Sequence, residues 1–208
     1  MIKNAFTKPE RWIIIGIPVL FIIGGILHFA YAVLWENPIV ALFAPVNESI
    51  WEHAKMVVWP VILWWVLYAC FRGKKHDIDQ KKWYSGALAA LLTSLVVMPM
   101  FYYFYTGAFG VEKLWVDILI LLVSILLGQM LGLHVYRHGK GISVKVVIIL
   151  FILIVLLFMV FTFFPPHIPL FFGWGKRSVW DHSLIKIPAI SYERMQPVLI
   201  FILIKFHI

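Results

Sequence analysis

In five places along this 208-residue chain, predominantly apolar residues run for the length of a bilayer crossing. The runs are 12–34, 50–71, 83–105, 113–136 and 143–164. A stretch of about 18 or more apolar residues reads as a transmembrane helix, because that length crosses a hydrocarbon core of ~30 Å. Lipid offers no water to the backbone, so each run must satisfy its own N–H and C=O groups as a helix. A membrane β-barrel would alternate every second residue, and these runs do not. The expected fold class is therefore all-α, a polytopic transmembrane helical bundle of about five spans.

Hydrophobic residues make up 62% of the chain and charged residues 13%, which leaves too little polar surface to wrap a soluble globule. The transmembrane domain is expected over 1–171, with 172–208 as a peripheral C-terminal tail. The apolar end of that tail, Val198–Ile204, reaches only ~10 Å as a helix and falls far short of the bilayer. Pro18, Pro60 and Pro99 lie inside the first three runs, where neighbouring helices make good a lost backbone bond. Gly128 and Gly132 form a G-x-x-x-G step that permits close helix contact.

The chain carries 18 Lys and Arg against 10 Asp and Glu. In a soluble protein that excess would suggest nucleic acid, but here the basic residues lie between the apolar runs. They read as topology determinants and headgroup contacts, so the lipid bilayer is the expected partner and nucleic acid is not. Lys3, Lys8 and Arg11 precede the first run. Arg72, Lys74, Lys75, Lys81 and Lys82 separate the second from the third, and Arg137, Lys140 and Lys145 the fourth from the fifth. The alternate loops hold Lys55 and Lys113. Because cytoplasmic loops carry the basic excess, the N-terminus is expected in the cytoplasm and the protein in the plasma membrane. A cleaved leader would also begin with basic residues and carry a small-x-small triplet such as Ala30-Tyr31-Ala32, yet the first run is longer than a leader's apolar core.

Cys70 is the single cysteine, which excludes an intramolecular disulfide and any multi-thiolate metal site. A metal would need nitrogen and oxygen ligands. The densest polar stretch near any span is Pro45-Val46-Asn47-Glu48-Ser49-Ile50-Trp51-Glu52-His53-Ala54-Lys55. Asn47 is a good helix N-cap, with Glu48 where the positive end of the helix dipole favours a carboxylate. Glu48 and Glu52 are four apart, as are Ser49 and His53, so a helix starting here presents one broad polar face. Lys55 can pair with Glu52 three residues before it. His28, Asp117 and His167 are expected at the same level of the membrane, with Glu112 nearby. Ionisable groups in a membrane normally face a protein interior and mark a site or pathway.

The strings HFAYAVLWENPIVALFAPVNESIWEHAKMVVWP and FFPPHIPLFF carry a family resemblance. The chain resembles a family of small multi-spanning bacterial membrane proteins, mostly Gram-positive, of unknown function. The likeness covers roughly residues 13–171 and implies a helical membrane protein, with no activity or functional residues to carry over. Beyond Phe171 the chain departs from the short ending of that family. A second likeness, to the membrane hydrolases that include alkaline ceramidases and adiponectin-type receptors, rests on the polar helix start Asn47–His53. The paired histidines four apart near the C-terminus and two of the seven spans of that superfamily are missing.

Two classes of function follow. One is a metal-dependent membrane hydrolase acting on a lipid-like substrate, with ligands drawn from His28, Glu48, Glu52, His53, Asp117 and His167. The other is a permease-like protein or partner subunit whose polar cluster packs or conducts protons. No motif fixes the cofactor.

Overall fold

The computed structural model describes residues 6–166 and 168–171. All regular secondary structure among those residues is helical, with no strand. The elements are α1 (Lys8–Val33), α2 (Pro38–Ala41), α3 (Ile50–His53), α4 (Lys55–Arg72), α5 (Gln80–Phe109), α6 (Leu114–His138) and α7 (Val144–Phe163), then a 3-10 turn at Pro169–Phe171. Five helices are long and apolar enough to cross a membrane: α1, the joined α3–α4 stretch Ile50–Arg72, α5, α6 and α7. The protein is therefore a multi-span membrane protein, and each span falls within a few residues of its expected run. The expected tail, 172–208, lies outside the described residues, as does His167.

Local sequence explains where the helices begin and end. At the head of α1 the Thr7 N–H donates to Glu10 Oε2 at 2.7 Å, half of the S/T-x-x-E capping pattern, and Pro9 sits in the first turn. Asp79 caps α5 by accepting from the Lys82 N–H at 3.2 Å. At its other end α5 closes on Gly110 at φ 65°, the left-handed position glycine adopts without a Cβ penalty. Pro18, Pro60 and Pro99 are all held inside continuous helices.

Lipid tails are as apolar as leucine, so helices associate in a membrane through tight packing and interhelical hydrogen bonds. The antiparallel pair α5–α6 meets across glycines. A Cβ on Gly132 would lie 2.8 Å from the Gly86 carbonyl oxygen and 3.0 Å from Trp65, and one on Gly128 would lie 2.6 Å from the Ala90 carbonyl oxygen. One turn further along, Ser94 Oγ donates across the interface to the Ser124 carbonyl at 2.9 Å. The α1–α4 pair is also antiparallel. Trp12 and Trp64 each donate the indole N–H to the other's carbonyl at 3.2 Å, with the rings stacked at 4.0 Å.

The tryptophans divide into two groups. Trp35 and Trp115 are exposed, as expected of indoles at an interface. Trp83 is instead fully buried and donates to the Trp65 carbonyl at 2.9 Å, while Trp51 stacks on Phe158 at 4.2 Å. Indoles near span ends thus serve packing as well as anchoring, because each brings a large apolar surface and, in Trp83, an N–H that finds a carbonyl.

The two ends of the bundle differ in composition. The basic end gathers Arg11, the 73–79 connection and the start of α7. The polar end gathers the finish of α1, α5 and α7 and the starts of α3 and α6.

Candidate metal centre

Residues 34–49 fold over the polar end as a short hairpin rather than a crossing. Its first turn places Trp35 and Glu36 at φ 55° and 54°, left-handed values that L-residues rarely adopt. Asn37 then caps α2 by accepting from the Ile39 N–H at 2.8 Å. The chain next enters α3, and its cap differs from the one expected. Ser49 is the N-cap, its Oγ accepting from the Glu52 N–H at 3.2 Å. Asn47 sits outside the helix, where its Oδ1 accepts from the Ser49 N–H at 2.9 Å. That two-residue Asx turn displaces the helix start by two residues.

The displaced start divides the expected polar face. Glu48 lies before the helix and is half exposed, with its Oε2 3.5 Å from His53 Nε2. Glu52 turns inward and is buried. Its Oε2 accepts from Lys55 Nζ at 2.6 Å and from the Val46 N–H at 3.0 Å. Lys55, also fully buried, donates a second bond to the Ala41 carbonyl at 2.7 Å. Glu52 Oε1 is reached by Thr162 Oγ1 of α7 at 3.5 Å. Glu52 is therefore engaged with the fold, and Glu48 is left for the site.

His28 reaches the site because α1 approaches α4 closely one turn below it. A Cβ on Gly24 would stand 2.9 Å from the Met56 carbonyl oxygen, so only a glycine lets the helices come this near. The His28 and His53 rings lie with centroids 5.1 Å apart. His28, Glu48 and His53 each offer a ligand atom, and all three atoms lie within 4.8 Å of one another. Ligands of one tetrahedral zinc ion sit ~2.0–2.2 Å from it and so ~3.3–3.6 Å from one another. Glu48 Oε2 and His53 Nε2 already stand 3.5 Å apart, and His28 completes a set within 4.8 Å.

Two details favour a cation over a purely structural cluster. His53 Nδ1 lies 2.8 Å from the Ser49 carbonyl oxygen, which leaves Nε2 with a lone pair toward Glu48 and His28. A metal-binding imidazole is commonly oriented in this way, by donating its other ring N–H to a carbonyl. Nδ1 of His28 is buried without a hydrogen-bond partner among the described residues, a state that costs ~1–3 kcal/mol unless something else satisfies it. Carboxylates also outnumber ammonium groups at this end: Glu36, Glu48, Glu52, Glu112 and Asp117 against Lys55 and Lys113. That balance attracts cations.

Asp117, at the start of α6, accepts from the Tyr105 hydroxyl at 2.6 Å, and the same Tyr105 oxygen accepts from the Lys113 N–H at 3.4 Å. Asp117 is within electrostatic reach of His53 and Glu48. Tyr102 donates to Glu112 beside it. These two tyrosines were not legible as site residues, since the run YYFY near the end of a span looks like an ordinary aromatic girdle.

Of the expected cluster, the structure brings together His28, Glu48 and His53, with Asn47 and Ser49 shaping their backbone. It assigns Glu52 to Lys55 and Asp117 to Tyr105. No curated protein and no solved structure matches the chain. The profile of a family of unknown function, DUF6512, matches residues 1–176, which include every element described above, and the chain belongs to that family.

Proposed function

We propose that this protein is a metal-dependent membrane hydrolase acting on a lipid-like substrate, its cation held by His28, Glu48 and His53 at the outward-facing end. One observation carries the reading: two imidazoles from separate helices and a carboxylate converge within 4.8 Å, with His53 Nδ1 already engaged by the Ser49 carbonyl. Two nitrogens and a carboxylate suit zinc and leave a coordination position for water, whose pKa a bound zinc lowers to about 7. A zinc held there would supply an activated water for acyl hydrolysis, in which the water oxygen would bond to the acyl carbon, the acyl–oxygen or acyl–nitrogen bond would break and the leaving group would take up a proton. Asp117, steadied by Tyr105, is the side chain suited to carry that proton.

The lipid-like class is supported by the apolar surface beside the site. Val33, Leu34, Trp35, Ile39 and Phe43 are exposed, so a substrate with acyl chains meets apolar groups next to the polar cluster. The outward orientation is supported by the basic residues at the opposite end.

The test is elemental analysis of detergent-purified protein, followed by assay on fluorogenic short-chain ester and amide lipids. Stoichiometric zinc is expected in the wild type and its loss in His53→Ala, with hydrolysis abolished by a chelator and restored by zinc. A wild type free of transition metal overturns the proposal. Stoichiometric metal without hydrolysis of either lipid class would leave the protein as a cation-binding, permease-like or partner subunit.

A further inference from the structure

A buried ion pair is a poor way to hold two helices together. Each charge loses its hydration, and an apolar pair of similar volume commonly serves a fold as well or better. Lys55 and Glu52 are nevertheless the most deeply buried charged groups of the described residues, with side chains 0% and 3% exposed. Stability alone does not explain why charges stand there.

Their hydrogen bonds suggest another reason. Lys55 Nζ takes the Ala41 carbonyl, at the end of α2, while Glu52 Oε2 takes the Val46 N–H. The pair thus grips the hairpin at two backbone points five residues apart, and the grips come from α3 and from the first residue of α4 that continues it. Immediately beyond Val46 the backbone is fixed twice more, by Asn47 Oδ1 on the Ser49 N–H and by Ser49 Oγ on the Glu52 N–H. Trp59 adds a bond from its indole N–H to the Leu42 carbonyl at 3.0 Å. Glu48 lies in the middle of this restrained stretch. Its own side chain is 54% exposed and touches only His53 among the ion pairs, so its position depends on the backbone beneath it. The Ser49 carbonyl that orients His53 belongs to the same stretch.

We infer that Glu52 and Lys55 are positioning residues for the metal centre: their buried ion pair fixes the Asn47–Ser49 backbone so that Glu48 and the imidazole of His53 are presented to one cation. The inference rests on the reading of His28, Glu48 and His53 as ligands. It gives the two charges a task that an apolar pair lacks, since methionine or leucine neither accepts from the Val46 N–H nor donates to the Ala41 carbonyl. A ligand set works only when its supporting shell holds it within a fraction of an ångström.

The experiment is a titration of purified, detergent-solubilised full-length protein with Co2+ alone, followed by its visible absorption, with zinc competition to give affinity. Three variants are compared with wild type: the double variant Glu52→Met/Lys55→Met, the single variant Asn47→Ala, and Glu10→Gln as a control at the opposite end of the bundle. Asn47 is exposed, so its variant folds even if the double variant does not. A 10–100-fold loss of affinity is expected in the double variant, with a changed Co2+ band shape, and a smaller loss of the same kind in Asn47→Ala. Glu10→Gln should leave both unchanged. Wild-type affinity and band shape in both Asn47→Ala and the folded double variant would overturn the positioning role while leaving the metal centre intact. If the double variant does not fold, an unchanged Asn47→Ala overturns it alone. Absence of any Co2+ band in wild type would overturn the ligand assignment itself.

Discussion

Each end of the bundle contains one lysine or arginine bonded to a glutamate, and the two pairs behave differently. At the basic end Arg137 Nε donates to Glu10 Oε1 at 2.7 Å, joining α1 to α6 across 127 positions of sequence. The arginine is a third exposed and rests over the Phe6 ring at 4.9 Å. At the polar end Lys55 and Glu52 are three residues apart and fully enclosed. The distant pair ties two helices that already meet where Gly24 of α1 faces Leu121 of α6, whereas the local pair organises a hairpin with little regular structure of its own. Sequence separation is thus no guide to what an ion pair does. Its burial, and the backbone groups that share its hydrogen bonds, decide.

The sharpest way to break that comparison is to remove one charge at a time. Lys55→Met leaves the Glu52 carboxylate buried with only the Val46 N–H and Thr162 for company, and breaking a buried pair from one side typically costs ~3–5 kcal/mol. Chemical denaturation in detergent should show a loss of that order. Restoring apolar character with Glu52→Met in the same protein should recover most of it. A single variant as stable as wild type would show that the pair is neither charged nor important.

That contrast also marks where sequence reading succeeds in this chain. The five spans are legible because a bilayer imposes one length and one backbone solution, and apolar runs display both. The site is legible only in part. PVNESIWEH is the densest polar stretch near any span, but spacing alone puts Glu48 and Glu52 on one face. The Asx turn at Asn47 moved the helix start to Ser49 and sent the two carboxylates in different directions. His28 joins them through a single glycine contact at Gly24, a tertiary event without a local signature. The contact made by Phe171, at the end of PPHIPLF, is likewise a packing fact: its ring and that of Phe158 lie against Trp51, the residue beside Glu52, with ring centroids at 4.8 and 4.2 Å.

A milder test applies to the basic end. Glu10→Gln removes the charge and leaves one amide oxygen where two carboxylate oxygens accept separately from the Thr7 N–H and Arg137 Nε, in a pair whose arginine keeps contact with water. Solvent-exposed pairs are worth ~0.2–1 kcal/mol, and this partly exposed one should fall toward the upper part of that range. The loss should shrink further as salt is raised, because screening acts on exposed charges and hardly on buried ones. Denaturation midpoints at low and high ionic strength check both points. If Glu10→Gln cost as much as Lys55→Met, burial would not be what separates the two ends.

The smallest effect on stability is expected from cysteine placed in the exposed connections, and it bears on which side of the membrane each end faces. Cys70 is the only cysteine in the chain, so Cys70→Ala supplies a background without thiols. Val111→Cys then marks the α5–α6 connection at the polar end, and Lys75→Cys marks the α4–α5 connection at the basic end. Both positions are exposed and outside the helices, where substitutions usually stay within ~0.5 kcal/mol. The basic excess around Lys75 argues that this end stays in the cytoplasm, since basic loops resist translocation. A membrane-impermeant maleimide added to intact cells should therefore label Val111→Cys and spare Lys75→Cys until the membrane is opened. The reverse pattern would turn the bundle over and present His28, Glu48 and His53 to the cytoplasm. The proposed metal centre would keep its geometry in that case, but under that proposal the cation and the lipid-like substrate would have to come from the cytoplasmic side.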